Sequence, residues 1–491
     1  MRKERNEGRT VKRSFPQLRL VNPPAYLRRL KLIRRLCLAV AVVVLAGSGA
    51  PAWGQEALQP GRPPASSVEE SLVPMDLAFT KPYKPSPRLT AVKEKLKEQL
   101  KDLPPFIRDA SLDVNPRTFY FYRNNYDNTK NEAWALGGNL TFKSGYLLDH
   151  LAVGAVGYAS DHLYAPPGRD GTGILKPGQK NLNVLGQIYG EVKITDKFVI
   201  DLYRKAYDTP YINQQDNRMI PNTFEAYTFT ARVGGEGDAP HFRFGGGYFT
   251  KMKPRDGSEF IPMSQAAGGT VDRGVAVAGG IFEAKNFSLG AINYYSQDII
   301  NIFYTEGKLT LPLESGLGLQ LAAQFSDQES TGSNLLYGRP FSTRQFGVRG
   351  NLSYRKAMLT LAYTNNAIGG INLFENWGSF PGYTSIQFSD FNNAGEQAFM
   401  IQGTYNFARW GLPGVTAYAL WVHGWNRANP TSRQPVPQED EFNLDLQWKP
   451  KRGFLEGFAF RLRYAHNWQR GEGNPTVDDL RLIVNYHFSV L

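Results

Sequence analysis

Five arginines give this chain its clearest chemical signature. Arg461 and Arg463 lie two residues apart, Arg481 lies in the next segment, and Arg117 and Arg123 share one parity near residue 120. A row of guanidinium groups lowers the barrier to anions and offers bidentate donors to carboxylates. The competing outcome is neutralisation, with acids such as Asp445, Asp478 or Asp479 paired to these arginines. Catalytic and metal chemistry finds less support. The six histidines, His150, His162, His241, His423, His466 and His487, form no HxxxH or HExxH pattern, which argues against a zinc site. There is no GxSxG elbow, although a serine and a histidine on different strands can meet unseen by this pattern. The one cysteine, Cys37, lies near the start of an apolar run and not just after it, which argues against a lipid anchor. Without it the rest of the chain has no disulfide and no thiolate metal site. No cofactor is expected.

An arginine row needs elements that send alternate residues to one side. From Phe442 to Lys449, Phe442, Leu444, Leu446 and Trp448 alternate with Asn443, Asp445, Gln447 and Lys449. From Phe458 to Tyr464, Phe458, Phe460, Leu462 and Tyr464 alternate with Ala459, Arg461 and Arg463. A period of two is a β-strand. Here the polar face carries full charges and the apolar face is rich in aromatics, the pattern of a strand with lipid on one side and a wet lumen on the other. After the N-terminal region no run of 18 or more apolar residues occurs, so a closed barrel is the spanning structure left.

The 386 residues from Phe106 to Leu491 contain connections of alternating length. Eight short ones lie near 144–149, 194–197, 234–240, 283–286, 313–318, 354–357, 408–414 and 449–457. Nine on the long side lie near 124–132, 163–181, 205–222, 250–274, 296–301, 326–345, 365–397, 424–440 and 469–478. Seventeen connections predict an all-β fold, a closed antiparallel transmembrane β-barrel of about 18 strands, with long loops outside and both ends periplasmic. Tyr120, Tyr122, Tyr363, Trp421, Trp448, Tyr464 and Tyr486 lie near strand ends, as an interfacial girdle requires. Ordinary strand composition would also place aromatics there.

Residues 1–54 read as a signal peptide: twelve basic residues, an apolar run from Leu36 to about Ala50, and Ala52-Trp53-Gly54 before Gln55. The run is about 15 residues, short of the ~20 that a membrane anchor needs. The whole chain carries +12, but removing this leader leaves 44 basic and 42 acidic residues, a net of +2. The basic balance is therefore no argument for nucleic acid. Residues 55–105 read as a periplasmic proline-rich linker ending in a short amphipathic helix over 89–103, with Val92, Leu96 and Leu100 on one side. That helix is either a solvated segment or a plug or partner contact.

FIRDASLDVNPRTFYFYRN (106–124), QFSDFNNAGE (387–396), WGLPGVT (410–416), FRLR (460–463) and RLIVNYHFSVL (481–491) resemble the OprD family of outer-membrane porins. YYSQDIINIFY (294–304) and NRMIPNTF (217–224) are weaker matches. The resemblance covers about 106–491 and implies an 18-stranded monomeric pore, sometimes a loose trimer, in the outer membrane of a bacterium. It implies passage of small anionic or zwitterionic solutes along a basic ladder, past a constriction built by the third and seventh loops. The ladder maps onto Arg461, Arg463 and Arg481, and the constriction acid onto Asp390, with Ser385 nearby. Phe388 departs from the tyrosine expected beside that acid, and Leu420 stands where some members carry arginine. Two other classes stay open: a barrel with a blocked lumen in a structural or adhesive role, and a barrel hydrolase.

Overall fold

Strands that alternate along their whole length have an unpaired edge unless the sheet closes, and here it closes. In this computed structural model, residues 87–491 are described, apart from 314–315, 368–370 and 472. Eighteen antiparallel strands follow one another in a single sheet, and the first, Ser111–Asn124, hydrogen-bonds the last, Thr476–Tyr486. Two-residue strands at Ile261–Pro262 and Phe488–Ser489 are appended to the seventh and the first strand. Closure leaves no edge, the condition for backbone inside hydrocarbon. No helix among the described residues is long and apolar enough to cross a membrane.

All seventeen connections fall where alternation places them. The tight ones rest on backbone detail. In the turn before the strand Val415–Trp425, Gly414 has φ +84°, and a Cβ there would lie 1.9 Å from the Lys449 carbonyl oxygen. Only glycine fits that position.

Burial is the reverse of a soluble barrel's. In the sixteenth strand, Gln438–Trp448, the outward Phe442, Leu444, Leu446 and Trp448 are exposed, while Asn443, Asp445 and Gln447 are buried. Trp421, His423 and Trp425 stack along the outer side of one strand, with centroids 5.9 and 5.4 Å apart.

The longest connections after the fifth, seventh and thirteenth strands, 206–222, 254–274 and 367–396, pack together against lumen-facing residues. These are the third, fourth and seventh long loops. Tyr211, Met263 and Trp377, one from each, share an apolar cluster with Tyr294 and Tyr304 of the wall. Trp377 Nε1 donates to the Met263 carbonyl at 2.8 Å, and Asn213 Nδ2 to the Ser379 carbonyl at 3.0 Å. The fourth loop thus joins the third and seventh, which the sequence resemblance did not anticipate.

A helix, Pro87–Leu100, precedes the barrel, and its Lys93 donates 2.8 Å to Ser489 Oγ near the chain end. Residues 1–54, read from sequence as a signal peptide, and the segment 55–86 lie outside the described residues.

Candidate functional site

Register brings the five arginines together. Directly opposed residues of antiparallel strands project from the same face. Arg481 is opposite Arg463 on one side and Phe121 on the other, and Arg463 is opposite Asp445. Arg117 is opposite Asn485, and Arg123 opposite Asp479. Arg461, two residues from Arg463, completes a patch of lumen wall on strands sixteen to eighteen and the first.

The acids are in the same patch, and two of the three are each shared by a pair of arginines. Asp445 accepts from Arg461 Nη2 at 2.7 Å and lies 2.9 Å from Arg463 Nε. Asp479 accepts from Arg481 Nε and from Arg123 Nη2, both at 2.7 Å. Asp216 of the third loop accepts from Arg117 Nη1 at 2.6 Å and Nη2 at 3.0 Å. Five guanidiniums therefore meet three carboxylates in this patch. Asp478, the third acid weighed as a partner, instead faces outward to Tyr464 and His466. Arg218 of the third loop adds another cation, 4.9 Å from the Phe121 ring centroid. It hydrogen-bonds the Thr172 carbonyl, and no carboxylate among the described residues pairs with it.

The arginines are not equivalent. Arg123, Arg463 and Arg117 keep side-chain exposures of 19, 12 and 11 %, whereas that of Arg481 is 2 %. The seventh loop covers Arg481. Arg481 Nη2 donates to the Gln387 carbonyl at 3.0 Å, and Gln387 Nε2 donates back to Asp479 at 2.9 Å. The next two amides, Phe388 N and Ser389 N, donate to the two oxygens of Glu441 at 3.0 and 2.9 Å. The loop tip is thus bolted to the arginine wall through backbone groups. Alternation contains no signal for such contacts, so Gln387, Glu441, Asp216 and Arg218 were not singled out from sequence.

Phe388 lies beneath Arg123, whose guanidinium carbon is 4.9 Å from the ring centroid, and meets Tyr126 edge-on at 5.9 Å. A cation–π contact occupies the place of the hydroxyl expected there. Asp390 faces into the seventh loop. It accepts from Ser385 Oγ and hydrogen-bonds the Glu375 carboxyl, while Asn392 Nδ2 donates to Glu375 at 2.8 Å. Burial, then the Asp390 charge, pushes the Glu375 carboxyl up to about 8, and burial raises Asp390 too. The charge on Arg255 of the fourth loop acts on Asp390 in the opposite sense. Leu420 is buried on the lumen face between Gln402 and Asn443. Among the described residues no cluster of histidine, aspartate or glutamate could hold a metal ion.

The closed eighteen-stranded barrel has counterparts among known proteins. The family model for outer membrane porins of the OprD family matches residues 104–490. Porin D of Pseudomonas aeruginosa is 24 % identical, over 79 % of this chain and 92 % of its own. Among solved structures, P. aeruginosa OccK9 (OpdG) superposes with a TM-score of 0.71 at 24 % identity, over 79 % of this chain and all of its own. P. aeruginosa OpdK, solved with vanillate, superposes with a TM-score of 0.65 at 18 % identity, over 78 % of this chain and all of its own. Closed topology, inverted burial and a match that spans the whole barrel agree: this is a protein of the bacterial outer membrane, and it belongs to the OprD family of outer membrane porins.

Proposed function

We propose that the barrel passes small carboxylate-bearing solutes, anionic or zwitterionic, by passive diffusion along the arginine wall. The carrying observation is the shared pairing: five guanidiniums meet three carboxylates, and Arg117, Arg123 and Arg463 retain exposed surface. A partly exposed guanidinium, with five N–H donors in all, can turn a donor to a passing anion. Vanillate, the molecule named with the OpdK structure, is itself a carboxylate. Each chain forms its own pore in outer-membrane lipid. The constriction is the seventh-loop tip, Ser385 to Asp390, held against that wall.

The test is ion selectivity in planar bilayers. Arg117, Arg123 and Arg463 changed together to glutamine shift the reversal potential towards cations at low salt. The shift fades at 1 M salt, where the Debye length is ~3 Å. An unchanged reversal potential at low salt removes the wall from the mechanism.

A second reading has one observation in its favour. The third, fourth and seventh loops form a continuous apolar cluster inside the barrel. If that cluster seals the lumen, the barrel is structural or adhesive, and the purified protein shows no conductance.

A further inference from the structure

Five uncharged polar residues stand in one row across five adjacent strands. Thr310 is directly opposite Gln320, Gln320 opposite Asn351, Asn351 opposite Thr360, and Thr360 opposite Gln402. Their chain neighbours Leu321, Leu352, Leu359, Leu361 and Ile401 are exposed on the lipid side, so the row faces the lumen. At a strand spacing of ~4.8 Å the row is about 19 Å long.

Four of the five side chains are linked in series. Thr360 Oγ1 donates to Asn351 Oδ1 at 2.9 Å, Asn351 Nδ2 to Gln320 Oε1 at 3.0 Å, and Gln320 Nε2 to Thr310 Oγ1 at 3.4 Å. Gln402 Nε2 donates to Thr404 Oγ1 at 3.1 Å. Gln320, Asn351 and Gln402 are half-buried. A side-chain amide nitrogen has two protons, so each of the three keeps a second N–H after its partner in the chain is satisfied.

The row leads into the arginine wall. Gln402 is opposite Leu420, and Leu420 is opposite Asn443. Asn443 shares its face with Asp445, the carboxylate held between Arg461 and Arg463. A strip of neutral donors and acceptors therefore adjoins a strip of cations, with Leu420 as the apolar member between them.

These two strips ask for different chemistry at the two ends of one solute. The arginines favour a carboxylate. The amide row rewards hydroxyl groups, because an apolar tail leaves amide N–H groups without partners, and an unmet polar group costs more than a met one gains. We infer that Gln320, Asn351, Thr360 and Gln402 select polyhydroxylated carboxylates, the uronic and aldonic acid class, over apolar carboxylates of similar size. This inference rests on the carboxylate reading above.

The test compares three probes of similar size in liposome swelling: glucuronate, cyclohexanecarboxylate and glucose. Uptake by protein-free liposomes is subtracted. In the unaltered protein glucuronate enters about threefold faster than cyclohexanecarboxylate or more, the weight of a single net hydrogen bond. The triple variant Gln320→Leu, Asn351→Leu, Gln402→Leu loses that preference, and its KCl conductance reports that it still assembles into channels. Gln320→Leu alone, a smaller change, halves the preference and guards against failure of the triple variant to assemble. Equal entry of the two acids, both faster than glucose, overturns the amide row and leaves the arginine wall standing. A preference that survives in the assembled variants overturns it as well. No advantage of either acid over glucose overturns both.

Discussion

Arg481 donates 3.0 Å to the carbonyl of Gln387, so the central residue of the arginine wall is also a fastening of the seventh loop. The same guanidinium is tied to Asp479, which Gln387 also grips through Nε2. Electrostatics and loop position are thus joined in one residue, whereas Arg463, directly opposite it, pairs with Asp445 of the wall.

The two arginines are expected to separate on substitution. Arg481→Gln releases one fastening of the loop tip and produces frequent conductance fluctuations in single-channel records. Arg463→Gln lowers anion selectivity and leaves the baseline quiet. A quiet Arg481→Gln channel with the parent conductance would show that the remaining contacts, Glu441 and Asp479 among them, are enough to hold the tip.

Asp445→Asn tests the shared pairing from the acid side. Asp445 is fully buried between Arg461 and Arg463, so its neutralisation removes the carboxylate that both guanidiniums share. Removing one partner of a buried ion pair costs about 3 kcal/mol or more. The denaturation midpoint falls, while anion selectivity rises because the wall gains net positive charge. A fall in both stability and anion selectivity would count against the wall as the selective element.

Period-two alternation carried nearly all of the fold. Each strand reveals its lipid face in residues such as Phe442, Leu444 and Leu446, and each connection breaks the pattern. Parity alone also placed Arg461, Arg463, Arg481, Arg117 and Arg123 on one wall, since closure makes the first and last strands neighbours. The loops were less legible for a physical reason. Gln387, Phe388 and Ser389 are held in part by backbone N–H and C=O groups, which every residue has, so alternation gives no sign of where the tip is fastened. The partner of Asp390 lies fifteen residues away at Glu375, beyond any local pattern. The row from Thr310 to Gln402 needs register, which sequence leaves open by two residues at every strand pair.

The helix Pro87–Leu100 meets the barrel through Lys93 and the terminal strand pair at Phe488–Ser489. That strand pair is itself hydrogen-bonded to Asp113 and Val114 of the first strand. The barrel's closure runs through longer strands and does not need the helix. Deleting residues 55–100 from the mature protein is therefore expected to leave an assembled barrel that still shifts on heating in a denaturing gel. Failure to assemble would place the segment inside the folding unit.

The carboxyl pair of the seventh loop predicts a pH response. Glu375 lies against Asp390, with Ser385, Asn392 and the Arg255 charge as the other groups that act on the pair. Glu375 is pushed up to about 8, first by burial and then by Asp390. In the unfolded chain the same carboxyl titrates near 4.3, so between the two values the folded loop binds a proton that the unfolded chain does not. The stability contributed by the pair is then complete below about 4.3 and is lost as pH rises through about 8. Above that value two buried carboxylates oppose each other and the loop loosens. Closure events in single-channel records are expected to be rare at pH 6 and frequent at pH 9. Glu375→Gln keeps the shape and a hydrogen-bond donor but cannot ionise, so its records stay quiet at both values. If Glu375→Gln fluctuates at pH 9 as the parent does, the response belongs to another group and the pair only shapes the loop.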